Sequence, residues 1–496
     1  MIFLNLLLTA VCFVGSDRLE LSLEKAGDNR AELEAVLQHY PNGSQKHIAA
    51  CFLIENMAGH NYTELLFYNP QDELVEFDSL SYENYEAASV AMDALEQERG
   101  EVHYAKGEVI EDTQIISSAY LIENIDLAFL GWKSNPWSKD LSFEDFCEYV
   151  LPYRGSNEPV ESWRSELMEQ FKDLQDEMVD PSDSKEAGRL LEQKANAIIG
   201  FDPIFYLHPT DQGFAEMKRR GMGRCEDITN MQIYARRAGG VAVASDYTPH
   251  WAKSGNNHAW SVVIGADGKG YSPISGVAAK VYRKTFSEQL TSLGAKLQKG
   301  EEAPRWLKKK YYKDVTDSYV KTTDVLLKVV PSDQRYAYLC VFNSGHWRAI
   351  QWGEIEQDSV IFRGMGRDIA YLPAFFRNDE IVPAGLPFIL QKDGTKRQVA
   401  IAGKEVAVTT SQTTGRHVAY EDWTDESVAL PLETGIKYEL KAWTPDGWNN
   451  IATKIGDGNP MEFNSLSSNG FYWLVEVDGD HEERPFTIKD GIIVRW

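Results

Sequence analysis

The stretch Gly221-Met222-Gly223-Arg224-Cys225-Glu226-Asp227-Ile228-Thr229-Asn230-Met231 decides how the chain is read. A turn of small residues delivers a cysteine to the start of a helix. Apolar residues follow at Ile228, Met231, Ala235 and Ala238, a spacing that fits one helix face. Gly239-Gly240 ends the run, because glycine accepts the left-handed conformation of a helix C-terminus. Cys225 therefore opens the helix, where unpaired N–H groups and the positive dipole end favour a thiolate. Arg224 adds a positive charge beside it. The expectation is a thiol with a lowered pKa, nucleophilic at neutral pH.

A thiolate catalyst needs a base, and Asn256-Asn257-His258-Ala259-Trp260-Ser261-Val262-Val263-Ile264 offers one. The alternation of His258, Trp260, Val262 and Ile264 reads as a strand with His258 at its mouth. Asp267-Gly268-Lys269-Gly270 is a hairpin turn, and Tyr271-Ser272-Pro273-Ile274-Ser275 starts the return. Gly-Arg-Cys225 opening a helix, Gly-Gly-Val241 starting a strand, and His258-Ala-Trp260 followed by Asp-Gly-Lys269 together resemble the transglutaminase-like superfamily of papain-type cysteine enzymes, in its secreted bacterial multidomain form. The resemblance is close over residues 200–280 and loose over 130–320. It implies Cys225 as nucleophile and His258 as base, acting on an amide or peptide bond of a peptide or protein substrate, with no cofactor. The family places an aspartate on the return strand, in a context like Val-Asp-Pro-Thr. Matching Pro273-Ile274 onto that context puts Ser275 at its place. Serine accepts a hydrogen bond but gives an imidazolium no charge support; loss of a triad carboxylate costs about 10⁴ in rate in the serine-protease template. Asp246, at the end of the strand starting at Val241, is the other candidate for that role. If neither serves, the reading becomes a catalytically degenerate surface scaffold.

The net charge of −25 argues against nucleic acid and against anionic membrane surfaces as partners. The 43% hydrophobic content suffices for ordinary packed cores. No metal-binding motif occurs, and no cofactor is expected. Ile2 to Val14 is an apolar run too short to span a bilayer and is read as the core of a secretory leader over residues 1–16. This predicts a secreted, periplasmic or cell-surface protein. A lipid on Cys12 is disfavoured, because Val11 is large for the residue before a lipidated cysteine. Cys51, Cys147 and Cys340 are spaced too far apart to suggest bridges and are read as buried thiols.

The texture of the chain predicts an α+β multidomain protein. Residues 17–130 are read as a helical N-terminal region, with Asp28-Asn29 capping a helix from Arg30 and further helices over 46–57 and 83–99. Residues 131–321 are the expected transglutaminase-like core, with a capped helix start at Ser142 and helices over 160–179 and 184–199. Lys308-Lys309-Lys310 is read as solvated surface. From Thr322 onward short apolar runs alternate with turn signals, which predicts two β-sandwich domains over 322–395 and 396–496. Trp423, Trp443, Trp448 and Trp473 are candidates for a sugar-stacking face, with core packing as the alternative.

Overall fold

The computed structural model describes residues 17–208, 210–272, 274, 276–417, 427–479 and 481–496. The expected leader with Cys12, and also Ser275 and Trp423, lie outside the described residues. The chain is α+β, and its contacts divide it into two units. The first comprises residues up to 246 with 259–272 and 284–288. The second comprises 247–258, 273–283 and 289–496.

The first unit begins with helices α1 (Arg30–His39) and α2 (Gln45–Met57). Asn29 does not cap α1 through its side chain. Its amide instead donates to the carbonyls of Thr113 and Ile116, both at 2.9 Å. A small antiparallel sheet then interrupts the expected helical region. β1 (Asn61–Tyr68) lies between β2 (Leu74–Val75) and β3 (His103–Glu111), with α3 (Tyr85–Arg99) connecting the latter two. Phe67 and Val75 bury against Met92 of α3, so the sheet exists to cover that helix. The long α4 (Ser118–Ser134) follows, started by Ser117, whose hydroxyl accepts from Tyr120 N–H. Ser142 caps the helix Phe143–Tyr149 as its spacing predicts. The helix expected over 160–179 is shorter, running Arg164–Gln170 before a 3-10 turn.

The centre of this unit is a layer of two helices on a sheet. Helix α5 (Ser184–Asn196) contributes Ala187, Leu191 and Ala195. Helix α6 (Cys225–Ala238) contributes Met231, Tyr234, Ala235 and Ala238. They close on Val263 of β5 (His258–Ile264), which neighbours β4 (Val243–Thr248) and β6 (Gly270–Tyr271). The approach to α6 is also fixed: residues 200–201 pair in parallel with 222–223. Gly223 has to be glycine, since a Cβ there would stand 2.7 Å from the Asp227 Cβ.

The second unit holds strands and turns from Thr322 onward, with no helix among its described residues there. β7 (Thr322–Lys328), β8 (Tyr336–Asn343), β9 (His346–Glu356), β10 (Ser359–Gly366), β11 (Ile369–Arg377), β12 (Glu380–Pro383), β13 (Phe388–Leu390) and β14 (Lys396–Gln398) form one sheet. Its order is β7-β10-β9-β8-β11-β13-β14, with β12 on β11. β15 (Glu405–Thr410) pairs with β18 (Met461–Ser467). β16 (Lys437–Thr444), β17 (Gly447–Ile455), β19 (Tyr472–Glu476), β20 (Phe486–Lys489) and β21 (Ile492–Arg495) form a sheet of order β17-β16-β19-β20-β21. Trp443, Phe471 and Trp496 pack into the same core as Tyr338, Leu372 and Ile389, so the two β stretches share a core. Among the described residues no helix is long and apolar enough to cross a membrane.

The end of α6 makes a stability prediction. Gly239 has an ordinary φ of −74°, whereas Gly240 has φ +71° and its Cβ would stand 2.6 Å from the Gly131 carbonyl oxygen. Gly240→Ala is expected to cost about 2–3 kcal/mol, from the left-handed backbone and the clash together. At Gly239 a Cβ meets the mobile end of Leu191, and the cost there is smaller. Urea unfolding of the two variants measures the difference, and equal midpoints would contradict this account of the cap.

Candidate functional site

Cys225 is half-buried at the first position of α6, with Arg224 as the N-cap residue. The carboxylate of Asp227 closes this helix start. It accepts the N–H of Arg224 at 3.0 Å and that of Gln212 at 3.0 Å. The guanidinium of Arg224 pairs with Asp211. On the other side of the cysteine, Glu226 pairs with Lys284, whose ammonium also donates to Ser156 Oγ at 2.7 Å. The chain of polar contacts continues inward. The backbone N–H groups of Gly155 and Ser156 donate to buried Glu158, which also accepts from the hydroxyl of Tyr234. Arg154 pairs with buried Asp112, to which Tyr153 also donates.

The electrostatics differ from the sequence-based expectation. Burial, seconded by the charge of Glu226, pushes the Cys225 thiol up to about 11. Arg224 and the backbone N–H of Glu226 pull the other way and lose. The helix start does aim an amide at the sulfur, as expected, but a thiolate taken out of water beside two carboxylates is held more weakly than one at an open helix end. Burial likewise lifts Asp211 to about 6 against the pull of Arg224. Glu226 is also penalised by burial, but Lys284, by charge and hydrogen bond, holds it down at about 2.

His258 opens β5, as the alternation predicts, and is half-buried. Its ring lies 6.2 Å from that of Trp251, inclined by 24°. The rest of β5 is laced to α6. Thr229 Oγ1 donates to the Ala259 carbonyl at 3.5 Å, and Ser261 joins Gln232 and Arg236. These bonds tie the body of α6 to residues 259–261 of β5. Asp246 is fully buried in β4. The Ile264 N–H donates to the Ala242 carbonyl at 2.9 Å, and β4 neighbours β5 in the sheet. Ser275, the other candidate for the third role, lies outside the described residues.

No motif points to Lys284, Asp211, Ser156 or Glu158. Lys284, Ser156 and Glu158 lie far from Cys225 along the chain, and Asp211, nearer by, has no motif around it. The cysteines carry no disulfide among the described residues. Cys147 and Cys340 are buried as expected, whereas Cys51 is half-buried, its sulfur 3.8 Å from Nδ1 of His47. Of the proposed sugar-stacking residues, Trp443, Trp448 and Trp473 pack edge-on and tilted against one another, with Trp347 and Phe342 joining them. Trp443 and Trp473 are buried, which is core packing.

The charge beside the thiol can be tested directly. Glu226→Gln removes a negative neighbour and leaves the Lys284 cation uncompensated, and both changes favour the thiolate. Iodoacetamide labelling of the Cys225 peptide at pH 8 should rise several-fold, corresponding to a pKa lower by about one unit. An unchanged rate would show that the carboxylate does not govern the thiol. No protein-family model matches this chain, and no curated protein matches it.

Proposed function

We propose that the protein is an exported cysteine hydrolase or acyltransferase of transglutaminase-like type, acting on amide or peptide bonds through a thioester on Cys225. In this reading residues 131–321 form the papain-like core, with β-sandwich domains over 322–395 and 396–496. The observation that supports the proposal is the lacing of α6, which Cys225 opens, to residues 259–261 of the strand that His258 opens. The Cys225 proton passes to His258, and the sulfur attacks the carbonyl carbon. The Cys225 N–H, which has no intrahelical acceptor at this position, stabilises the developing oxyanion. The C–N bond breaks, and His258 returns the proton to the leaving amine. Water or an amine then attacks the thioester, gives its proton to His258 and releases the thiol. Asp246 is the carboxylate assigned to orient His258, on the strength of its burial in the strand beside β5.

A second reading has its own observation. A thiol pushed up to about 11 is what a degenerate scaffold would keep, with the β domains binding a glycan or a protein. Pairing with His258 has to overcome that cost for the first reading to hold.

The two readings separate in one set of assays. Casein is the probe, with its hydrolysis and the incorporation of dansylcadaverine both measured, and the acyl-enzyme sought by intact mass. Turnover should vanish in Cys225→Ala, fall at least 10³-fold in His258→Asn and at least tenfold in Asp246→Asn. Absence of any Cys225-dependent turnover, together with a thiol that titrates alone near 11, favours the scaffold.

A further inference from the structure

The loop that delivers His258 makes little regular structure: the Trp251 N–H donates to the Asn256 carbonyl at 3.2 Å and Trp251 bridges Ala278, and most of its carbonyl groups find donors elsewhere. Within the second unit they find them in the β half. Asn343, the last residue of β8, is buried, and its Nδ2 lies 3.0, 3.2 and 2.9 Å from the carbonyl oxygens of Trp251, Ser254 and Asn256. Its two N–H bonds thus serve three acceptors. Ser344 Oγ accepts the N–H of Asn256 at 3.2 Å. Arg484, also buried, donates to Ala252 at 2.8 Å and Ser254 at 3.1 Å, and with its third nitrogen to Trp496 at 2.9 Å. Ser427 donates to the Lys253 carbonyl at 3.1 Å. Five carbonyls in six residues are therefore held by side chains that come from the β strands and the turns between them.

The cost of this arrangement indicates its importance. All three nitrogens of Arg484 donate to backbone carbonyls, and burial holds its pKa down to about 9 against the pull of Glu482. A buried arginine used in this way is expensive and is seldom needed to join two packed surfaces. Asn256, two residues before His258, sits at φ +62° and Ser344 at φ +44°, so both sides of the clasp hold backbone that ordinary residues avoid. The Trp251 ring, placed by the same clasp, lies against the His258 ring.

We infer that Asn343 and Arg484 are positioning residues for His258, so that the β half sets the geometry of the proposed base. This inference rests on the cysteine–histidine reading above. It implies that the β half does more than carry or anchor the enzyme.

The test uses the full chain and iodoacetamide, with labelling of the Cys225 peptide followed from pH 5 to 9. The wild type should show a reactive limb near neutral pH that His258→Asn removes. His250 in the same loop is kept neutral by burial and by Arg348, at about 4, and adds no limb there. Asn343→Asp turns a donor to three carbonyls into an acceptor facing them. Its profile should fall onto that of His258→Asn, with at least a tenfold loss at pH 7. Val360→Ala, a cavity in the core of the same sheet, should lower stability and leave the limb intact. If Asn343→Asp does not fold, Ser344→Ala and Arg484→Lys replace it, each expected to lower the pH 7 rate about three- to tenfold. A limb present in the wild type, absent in His258→Asn and undiminished in the clasp variants overturns this inference alone. Identical wild-type and His258→Asn profiles overturn the cysteine–histidine reading, and this inference with it.

Discussion

Everything around the candidate site follows from burying a polar helix. From Asp227 to Ala238 nearly every residue of α6 is out of water, including Thr229, Gln232, Arg236 and Arg237. Each buried polar group needs a partner, or its desolvation is left uncompensated. Gln232 and Arg236 meet at Ser261, and Arg236 also pairs with Glu192 of α5. Arg237 donates to the carbonyls of Tyr149, Pro152 and Arg154, while Arg164 reaches the carbonyls of Val150 and Arg237. These bonds fix the rotation and height of α6, and with them where Cys225 emerges. A helix buried by apolar residues alone could slide by a turn at modest cost; this one cannot.

The same constraint explains what was legible in the sequence. Local signals were read correctly wherever a short stretch settles its own structure. Ser142 caps its helix, β5 begins at His258, and no helix occurs among the described residues from Thr322 onward. The sheet over 61–111 was missed, although Asn61–Tyr68 is rich in the β-branched and aromatic residues that favour a strand. Helical runs on either side masked it. Asn29 reads as a cap because caps are local, but the carbonyls of Thr113 and Ile116 take its amide. The partners of the site could not be read at all. Lys284 reaches Glu226 and Asn343 reaches Trp251 across long stretches of chain, and no periodicity encodes such a meeting.

The thiol shows how a sound rule can lose on magnitude. A helix N-terminus stabilises an anion by a fraction of a kcal/mol to about 2 kcal/mol, and that benefit falls off within a turn. Burial of a thiol against a neighbouring carboxylate can outweigh it. Position in a helix is visible in a sequence, whereas burial and the sign of the surrounding charge are not. Arg224 looked like support for the thiolate, yet its guanidinium is already engaged with Asp211.

That engagement bears on how a cysteine in this setting could still react. A thiol held high as an isolated group can give up its proton if a neutral imidazole takes it within the same desolvated space, because the pair that forms is then stabilised by its own attraction. A carboxylate that opposes an isolated thiolate favours an imidazolium, so in such a pair it acts in opposite senses on the two partners. Exact placement of the imidazole then matters more than the intrinsic acidity of the thiol. A protein relying on placement in this way has reason to hold its histidine loop at five carbonyls in six residues, and reason to bury an arginine to do it.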